Sequence, residues 1–456
     1  GDVYKRQGYA YSGTGVFKST DAGHTWENMG LSDTHHIGKV LIDPRNEDNV
    51  FVAAIGHFWT RNEERGVFRT RNGGASWEKV LYAGDDAGAI DIIMDPRNSK
   101  DLYAAIWQAE SGMPHVAGEK SGLYRSQDGG TTWTHLNKGL PTGMIGRMGL
   151  DVSLSNPDVV YAFIDNRNET ESDSGETSMI GGQVYRTGNG GDDWVLIESE
   201  LIGNVFGQIG WKFTDIRISP DDENEIFVLG NKVYHSNDGG RTFARIGEDI
   251  LRLHDTRGEI MHMDHHEIWI DPENPNRILL GNDGGLFQSY DNGDTWLHHN
   301  NIPAAEFYSI SVDDESPYRV FGGTQDNAAL YGPSDTELDG TRVLGSTRDP
   351  WENVYLDRWT GGDSFDTLLD PTLPGIVYYE HQHGGMMRID LNGTSVQSGG
   401  ESSNSIRPSA PEGDEPWRFG WYTPIQFSIH EPETMLSAGN VVLLSRDRGE
   451  SWEAIS

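Results

Sequence analysis

One eight-residue pattern, Ser-x-Asp-x-Gly-x-Thr-Trp, returns along almost the whole chain and constrains the fold more than any other feature. Its clearest copy occupies residues 126–133 and follows an alternating stretch, residues 122–125, that predicts a strand. The first six copies are separated by 51, 56, 61, 49 and 53 residues. That period fits a propeller blade of four short strands better than a helical repeat. The other copies start at Ser19, Thr70, Thr187, Ser236, Ser289 and Ser445.

The residue types in this octapeptide suit a hairpin turn. Asp or Asn accepts hydrogen bonds from nearby backbone N–H groups, Gly supplies the positive φ that the turn needs, and the final aromatic residue can pack between blades. A second element, an apolar strand followed by a Pro/Asp turn, recurs before the octapeptides. Its copies are residues 40–46, 92–98, 218–222 and 268–274. Together the two elements predict about four strands per period, which is one blade.

Composition narrows the function classes. The 456 residues carry 35% hydrophobic side chains, 14 Trp and 57 Gly, which is ample for a large all-β core. A formal net charge of −36 disfavours nucleic acid or anionic lipid as the main partner. The absence of cysteine excludes disulfides and thiolate metal sites. No apolar run is long enough to span a membrane, and no cofactor is predicted.

The chain is expected to consist mainly of consecutive blades. Residues 1–7 are interpreted as a sequencing-adapter remnant, and residues 8–394 as propeller blades, two of which lack an octapeptide. Residues 395–411, rich in Ser, Gly and Pro, predict a loop or boundary, and residues 412–456 a further, incomplete blade. The chain is therefore expected to be a fragment cut at both ends. Residues 166–177 predict an exposed loop, and the sequon at Asn168 is a weak signal for a glycan.

The octapeptide resembles the Asp box, or bacterial neuraminidase repeat, of sialidases, xyloglucanase-type glycoside hydrolases and the sortilin propeller. Residues 122–165, 264–296 and 317–327 resemble a bacterial group of sortilin N-terminal-like, repeat-containing glycosyl hydrolases. The resemblance implies an all-β propeller of four-stranded blades, with the box on the outer rim and ligands on the axial face. It implies that the acidic residues of the box are structural: Asp21, Asp128, Asp238, Asp291 and Asp447.

Three polar clusters outside the octapeptides are candidate ligand sites. In the first, His262, Asp264 and His266 alternate along one predicted strand and can share a face, so they are weak candidates for a divalent metal site. The alternative is a hydrogen-bonded blade entrance. The second cluster contains Gln325, Asp326 and Asn327, whose amides and carboxylate can bind sugar hydroxyls or peptide groups, or can satisfy a turn.

The third cluster combines Asp363 with Glu380, His381 and His383. Asp363 precedes a predicted strand as Asp264 does, and equivalent places in successive blades converge on the propeller axis. Structural turn chemistry is the alternative here as well.

Two functions remain open. The preferred interpretation is an extracytoplasmic binding module, secreted or periplasmic in a bacterium, that holds a peptide, protein or glycan on its axial face. The alternative is a glycoside hydrolase with a pair of carboxyl groups, for which Asp264, Asp363 and Glu380 are the catalytic candidates, together with Asp326. It predicts Trp platforms at position 211, 351, 359 or 421. A sialidase is disfavoured because no defining arginine constellation is present. A structural scaffold is a third reading, and oligomeric state is not predicted.

Overall fold

The computed structural model describes residues 12–109, 116–171, 175, 177–199, 202–203, 205, 210–247, 261–299, 302, 304–335, 351–354, 362–392 and 403–456. The predicted adapter remnant, residues 1–7, lies outside these ranges. The described chain divides into two compact units. The N-terminal unit ends at His298 and the C-terminal unit runs from His299 to Ser456.

The N-terminal unit contains a two-stranded sheet, β1–β2, followed by five four-stranded sheets. Its strands are β1 (Phe17–Lys18), β2 (Glu27–Asn28), β3 (His36–Asp43), β4 (Asn46–Gly56), β5 (Gly66–Thr70), β6 (Glu78–Leu81), β7 (Ala87–Asp95), β8 (Asn98–Gln108), β9 (Gly122–Ser126), β10 (Thr134–Leu136), β11 (Ile145–Val152), β12 (Val160–Glu171), β13 (Thr177–Thr187), β14 (Val195–Ile197), β15 (Asp215–Ile218), β16 (Ile226–Leu229), β17 (Val233–Ser236), β18 (Ala244–Arg245), β19 (His265–Ile270), β20 (Ile278–Asn282), β21 (Gly285–Ser289) and β22 (Leu297–His298).

The C-terminal unit contains three further four-stranded sheets. Its strands are β23 (Phe307–Val312), β24 (Arg319–Thr324), β25 (Ala329–Pro333), β26 (Glu352–Asn353), β27 (Ser364–Leu369), β28 (Ile376–His381), β29 (Gly385–Asp390), β30 (Ser403–Ser405), β31 (Ile425–Phe427), β32 (Met435–Ala438), β33 (Val442–Ser445) and β34 (Glu453–Ala454). Two short 3-10 helices, Ser32–Thr34 and Gln382–Gly384, occur in the described residues, which contain no α-helix. No helix in the described ranges is long and apolar enough to cross a membrane.

Each four-stranded sheet is an antiparallel meander whose strands follow chain order. The first strands of consecutive sheets lie side by side within a unit, as β3, β7, β11, β15 and β19 do. Apolar side chains of neighbouring sheets form the core between them, for example Ile92 and Phe51 in one cluster. This is the arrangement of propeller blades around an axis, so the predicted all-β propeller fold is confirmed.

Three details of the predicted organisation differ in the structure. Ser403–Ser405, inside the predicted loop 395–411, form β30, the fourth strand of a blade. Residues 412–456, expected to be an incomplete blade, contain the complete sheet β31–β34. The predicted loop 166–177 is largely the end of the long hairpin β12–β13, because this pair continues its ladder to Glu171 and Thr177.

The sequon residue Asn168 lies in that hairpin and is half-buried. Its Nδ2 donates to Thr142 O and Asn166 Oδ1, both at 2.8 Å, and its Oδ1 accepts the Met144 N–H at 3.0 Å. The side chain therefore ties the loop before β11 to β12, and its amide nitrogen is engaged in the fold.

All seven octapeptides share one hydrogen-bond network. The hydroxyl at the first position donates to the Asp or Asn at the third position. The same hydroxyl accepts the backbone N–H of the glycine at the fifth position. The Asp or Asn side chain at the third position accepts the backbone N–H of the residue at the seventh position. Hydrogen bonds from Thr25 and Thr242 lower the pKa of Asp21 and of Asp238 to about 2. These carboxylates are turn acceptors.

The octapeptides and the Pro/Asp turns lie at the same end of the strands in each sheet. An octapeptide joins the third strand to the fourth, and a Pro/Asp turn joins the first to the second. Because the strands are antiparallel, the remaining connections lie at the opposite edge. The end of the strands away from the octapeptides is called the loop edge below. It holds the turns between second and third strands and the segments that lead into the next blade.

Aspartates on the first strands connect neighbouring blades. The first strand is a sheet edge, so half of its N–H groups lack a ladder partner. Asp91 Oδ2 in β7 accepts the N–H of Leu150 in β11 at 2.8 Å, and Asp151 Oδ2 accepts that of Ile218 in β15 at 2.8 Å. These contacts satisfy edge N–H groups that would otherwise be buried without acceptors.

Asp91→Ala is expected to reduce the free energy of unfolding by about 2–4 kcal/mol at pH 7. The change removes the acceptor for Leu150 and the ion pair with Lys39 Nζ at 2.8 Å. Burial opposes the charged form of Asp91, but Lys39 and Arg217 outweigh it and lower its pKa, so this contribution is lost as pH falls through that lowered value. Chemical denaturation measures it. The exposed Glu47→Ala variant is the control, and equal effects of both would contradict the blade-connecting role.

Candidate functional site at the loop edge

Two carboxyl groups lie close together at the loop edge of the sheet β19–β22. His265 pairs with Asn282 at the end of the β19–β20 ladder, and Asp264 and Asp283 are the next residues beyond this pair. Asp283 lies in the turn between β20 and β21, and its negative charge acts on the Asp264 carboxyl and raises the pKa of that group. Among the eight four-stranded sheets of the described residues, this is the one in which both residues beyond the last ladder pair are carboxylates.

Asp264 is fixed by the preceding blade. Its backbone has φ 65°, a left-handed conformation that is uncommon for residues other than Gly. Its N–H donates to Asn231 O at 3.1 Å, and Asn231 Nδ2 donates to Asp264 Oδ1 at 2.8 Å. The N–H of His265 donates to Gly230 O at 2.9 Å. The β16–β17 turn of one blade therefore holds the carboxyl of the next.

Asp283 is fixed from its own blade. Its Oδ1 lies 2.6 Å from His266 Nε2, and the His266 ring packs on Phe213 with centroids 5.1 Å apart. Asn282 accepts the Gly284 N–H at 2.9 Å and donates to His262 O at 2.9 Å, which ties the turn to the segment before β19. A Cβ at Gly284 would lie 2.4 Å from His262 Cβ, so this close approach requires glycine.

The surroundings give the two carboxyls different roles. Burial raises the pKa of Asp264, and the nearby negative charge of Asp283 raises it further, while Lys212 opposes the shift. Asp264 therefore keeps its proton to higher pH than an ordinary aspartate does. Beside them His265 is buried, and burial with the charges of His262 and His266 lowers its pKa to about 3, so it is neutral. Trp211 is half-buried, with Lys212 Nζ 5.6 Å from its ring centroid.

The described residues give no support to the metal hypothesis for this cluster, which stays a prediction. No three His, Asp or Glu side chains of the described residues converge as a metal-binding group, and His262, Asp264 and His266 are all described. His266 is directed to Asp283, and His262 Nδ1 lies 3.0 Å from the Met263 carbonyl. Their alternation along the strand was not sufficient, because Asp264 leaves the strand conformation and turns toward Asn231.

The second and third predicted clusters meet in the C-terminal unit. Asp363 Oδ1 accepts the N–H of Asp326 at 3.0 Å, and its Oδ2 accepts Trp421 Nε1–H at 2.6 Å and the Tyr308 hydroxyl at 3.2 Å. Gln325 Nε2 donates to Asp326 Oδ2 at 3.1 Å. Asp363 is 2% exposed, so this aspartate acts as the centre of a packed hydrogen-bond network.

Asn327 completes the same turn, since its Nδ2 donates to Gln325 O at 3.0 Å. The turn chemistry considered as the alternative for residues 325–327 is thus present. Whether a ligand also uses these side chains stays a prediction.

Glu380, another catalytic candidate, is 0% exposed. Its Oε1 accepts the Thr423 N–H at 2.9 Å, and no partner for Oε2 occurs in the described part of the chain. Burial raises its pKa to about 10, so the side chain is a neutral carboxylic acid at pH 7. Because the Glu380 side chain is fully buried, it cannot contact a polysaccharide.

The two histidines of that cluster have different environments. His381 is half-buried in β28, and burial lowers its pKa. His383 is exposed, has φ 60° and lies edge-on to Trp421 with centroids 5.1 Å apart. The predicted platforms Trp351 and Trp421 are half-buried, and Trp359 lies outside the described residues.

The residues missed from the sequence are Asp283, its neighbour Asn282 and Asn231, which donates to Asp264. The stretch 281–285, with its Asn-Asp-Gly-Gly turn, supported only the family resemblance in the sequence. A hairpin assignment of that turn, placing Asp283 beside the entrance of β19, was the signal that would have identified the pair. A groove of about 470 Å³ near Arg186 and Arg241 lies at the opposite, octapeptide edge and contains none of these residues.

The fold is that of a β-propeller protein with carboxyl groups at its loop edge. Comparison with known proteins agrees with this class. The family described as "Sortilin, neurotensin receptor 3" matches residues 14–180. A xyloglucanase of Paenibacillus sp is 25% identical over 265 residues, which is 51% of this chain and 23% of the relative. An oligoxyloglucan-reducing end-specific xyloglucanase of Emericella nidulans is 32% identical over 82 residues, 18% of this chain and 10% of the relative.

A solved structure of an ancestral GH74 enzyme aligns with 96% of this chain and 65% of its own, with a TM-score of 0.48 and 15% identity. The match to the Paenibacillus xyloglucanase spans about a quarter of that relative's length, 23%. The resemblance to repeat-containing, sortilin-like glycosyl hydrolases is confirmed. The xyloglucanase matches support the glycoside hydrolase alternative better than the binding-module interpretation, and both stay predictions.

Proposed function

We propose that this propeller acts on a neutral polysaccharide of the β-glucan class as a glycoside hydrolase. The observation that carries the proposal is the neighbouring pair Asp264 and Asp283 at the loop edge, since the pKa of Asp264 is raised and Asp283 is paired with His266. Glycosidases need such a pair across the scissile bond. The similarity to xyloglucanases supports the same substrate class.

In the proposed reaction, the Asp264 carboxyl donates its proton to the glycosidic oxygen as the bond from that oxygen to the anomeric carbon breaks. The Asp283 carboxylate stabilises the positive charge that develops on the sugar, either as nucleophile or as the base that removes a proton from water. Asn231 and His266 position the two groups through their hydrogen bonds. Water supplies the hydroxyl of the new reducing end.

A binding module is the second candidate, and specific observations favour it. The family match to sortilin covers residues 14–180. Asp363 and Glu380 are engaged by Trp421 and Thr423, which is the arrangement of structural carboxyls. In this case the propeller would hold a glycan, peptide or protein without cutting it. For both candidates we propose an extracytoplasmic location, secreted or periplasmic.

Incubation of the chain with xyloglucan and with unbranched β-1,4-glucan tests the proposal. We expect new reducing ends from at least one polymer, and proton NMR of the first product identifies the configuration at the anomeric carbon. Retention indicates carboxyl groups about 5–5.5 Å apart, and inversion a wider pair of about 6.5–9.5 Å. Binding of either polymer without new reducing ends would overturn the hydrolase proposal in favour of the binding module.

A further inference from the structure

A tryptophan stands exposed at the tip of a rigid loop at the loop edge of the N-terminal unit. Trp59 lies in the β4–β5 connection, residues 57–65, and is 45% exposed. Its inner neighbour Phe58 is buried and lies against Trp107, with centroids 5.8 Å apart. Trp and Tyr side chains are enriched at binding interfaces.

Buried polar residues hold this loop in one conformation. Arg65 is 0% exposed, and its guanidinium donates to Ala109 O at 2.9 Å, His57 O at 2.8 Å and Thr60 O at 3.3 Å. Asn62 donates to His57 O at 2.9 Å and to Thr60 O at 2.7 Å. Carbonyls on both sides of Trp59 are therefore bound, so the loop backbone that carries the ring has little conformational entropy left to lose.

A stacked histidine pair supports the base of the loop. His36 pairs with Gly56 in the β3–β4 ladder, so His35 and His57 are the next facing residues. Their rings stack with centroids 3.9 Å apart, and His57 Nε2 lies 2.8 Å from Asp33 O. The contacts anchor the start of the loop to the segment that precedes β3.

A second exposed aromatic residue lies on the adjoining loop. Tyr82, at the β6–β7 connection, is 45% exposed, and Lys79 Nζ lies 4.7 Å from its ring centroid. The Asn62 N–H donates to Asp85 O at 2.9 Å and joins the two loops. Burial, with the charges of Glu63 and Asp85, raises the pKa of Tyr82, so both acids lie near its hydroxyl. Trp59 and Tyr82 are called the aromatic strip.

The surroundings of the strip favour one kind of ligand. The exposed neighbours of Trp59 along the loop are Thr60, Arg61 and Glu63, which are polar. A protein partner would need a wider apolar area around the ring, whereas a pyranose ring has an apolar face of C–H groups and a rim of hydroxyls. The net charge of −36 disfavours an acidic glycan.

From this geometry we propose that the aromatic strip binds a neutral glycan chain, with one sugar ring stacked on Trp59 and another on Tyr82. Arg61, Glu63 and Asp85 offer hydrogen bonds to the sugar hydroxyls. The class of ligand rests on the proposed function, but the strip shares no residue with the pair Asp264 and Asp283 and is tested by binding alone.

The test is affinity electrophoresis of the full chain in gels containing xyloglucan or unbranched β-1,4-glucan. Trp59→Ala is expected to weaken binding about tenfold, and Tyr82→Ala about threefold. Trp59→Phe, which keeps an aromatic face, is expected to retain most of the affinity. Trp269→Ala is the matched control, because Trp269 is 44% exposed but lies next to a Pro/Asp turn at the opposite edge.

Unchanged affinity of Trp59→Ala, or an equal loss in Trp269→Ala, overturns the strip as a glycan site. Absence of binding by the unmodified chain to both polymers does the same. Binding that depends on Trp59 without release of reducing ends supports the strip while the hydrolase proposal fails. Release of reducing ends with Trp59-independent binding leaves the hydrolase proposal standing and removes the strip.

Discussion

Asp264→Asn is expected to lower the rate constant of polysaccharide hydrolysis by about 10²–10⁴-fold with little change in KM. The amide retains the shape of the carboxyl and can still accept the hydrogen bond from Asn231 Nδ2, but it has no acid proton to donate. The raised pKa of Asp264 keeps the acid form present to higher pH, and activity of the unmodified chain is lost as pH rises above that pKa. Initial rates of reducing-end formation across pH measure both effects.

The comparison variants distinguish chemistry from folding. Asp283→Asn should lower the rate by a similar factor, because the negative charge beside the anomeric carbon is removed. Asp271→Asn is the matched control at the other end of β19, where Asp271 Oδ1 accepts the Glu273 N–H at 2.9 Å. An Asp264→Asn variant with full activity, or an Asp271→Asn variant equally impaired at unchanged thermal stability, would show that the pair is not catalytic.

Glu380→Gln is expected to stabilise the protein at pH 8 by about 2–4 kcal/mol while leaving its stability at pH 5 nearly unchanged. Glu380 is 0% exposed, and burial raises its pKa to about 10. Between the ordinary glutamate pKa and this value, the native state binds more protons than the unfolded state. Stability therefore falls as pH rises through that interval, by at most about 1.4 kcal/mol per pH unit.

Glutamine resembles the neutral acid and does not ionise, so the variant lacks this loss. Its amide oxygen can still accept the Thr423 N–H, which lies 2.9 Å from Oε1 in the native protein. The thermal midpoints of both proteins at the two pH values are the measurement, with the exposed Glu412→Gln as control. A stability difference that is the same at pH 5 and pH 8 would falsify the neutral state of Glu380.

Much of the fold follows from sequence alone because its determinants are local. Each octapeptide closes its hydrogen bonds within eight residues, as the Ser126 hydroxyl, the Asp128 carboxylate and the Thr132 N–H show. Its spacing therefore marks the blades that contain it without knowledge of tertiary contacts. The strand at residues 403–405 was not predicted, because a short fourth strand depends on pairing with β29 and has no sequence pattern of its own.

The candidate site was only partly accessible from sequence. Asp264, Asp363 and Glu380 were all recognisable as carboxyls near strand ends, but their roles depend on what packs against them. Trp421, 58 residues away in the sequence, donates a hydrogen bond to Asp363, and Thr423, 43 residues away, donates one to Glu380. No periodicity in the chain indicates those contacts.

The sequence by itself determined the blade repeat, the structural use of the octapeptide aspartates and the position of Asp264 at a strand entrance. Only the tertiary structure decided that Asp283 lies near Asp264, that Glu380 is a buried neutral acid, and that Arg65 fixes the loop that carries Trp59. The physical reason is the distance along the sequence over which each kind of interaction acts. Turn hydrogen bonds act between neighbours in sequence, whereas burial and charge that set a carboxyl's protonation come from segments joined only by strand register and blade packing.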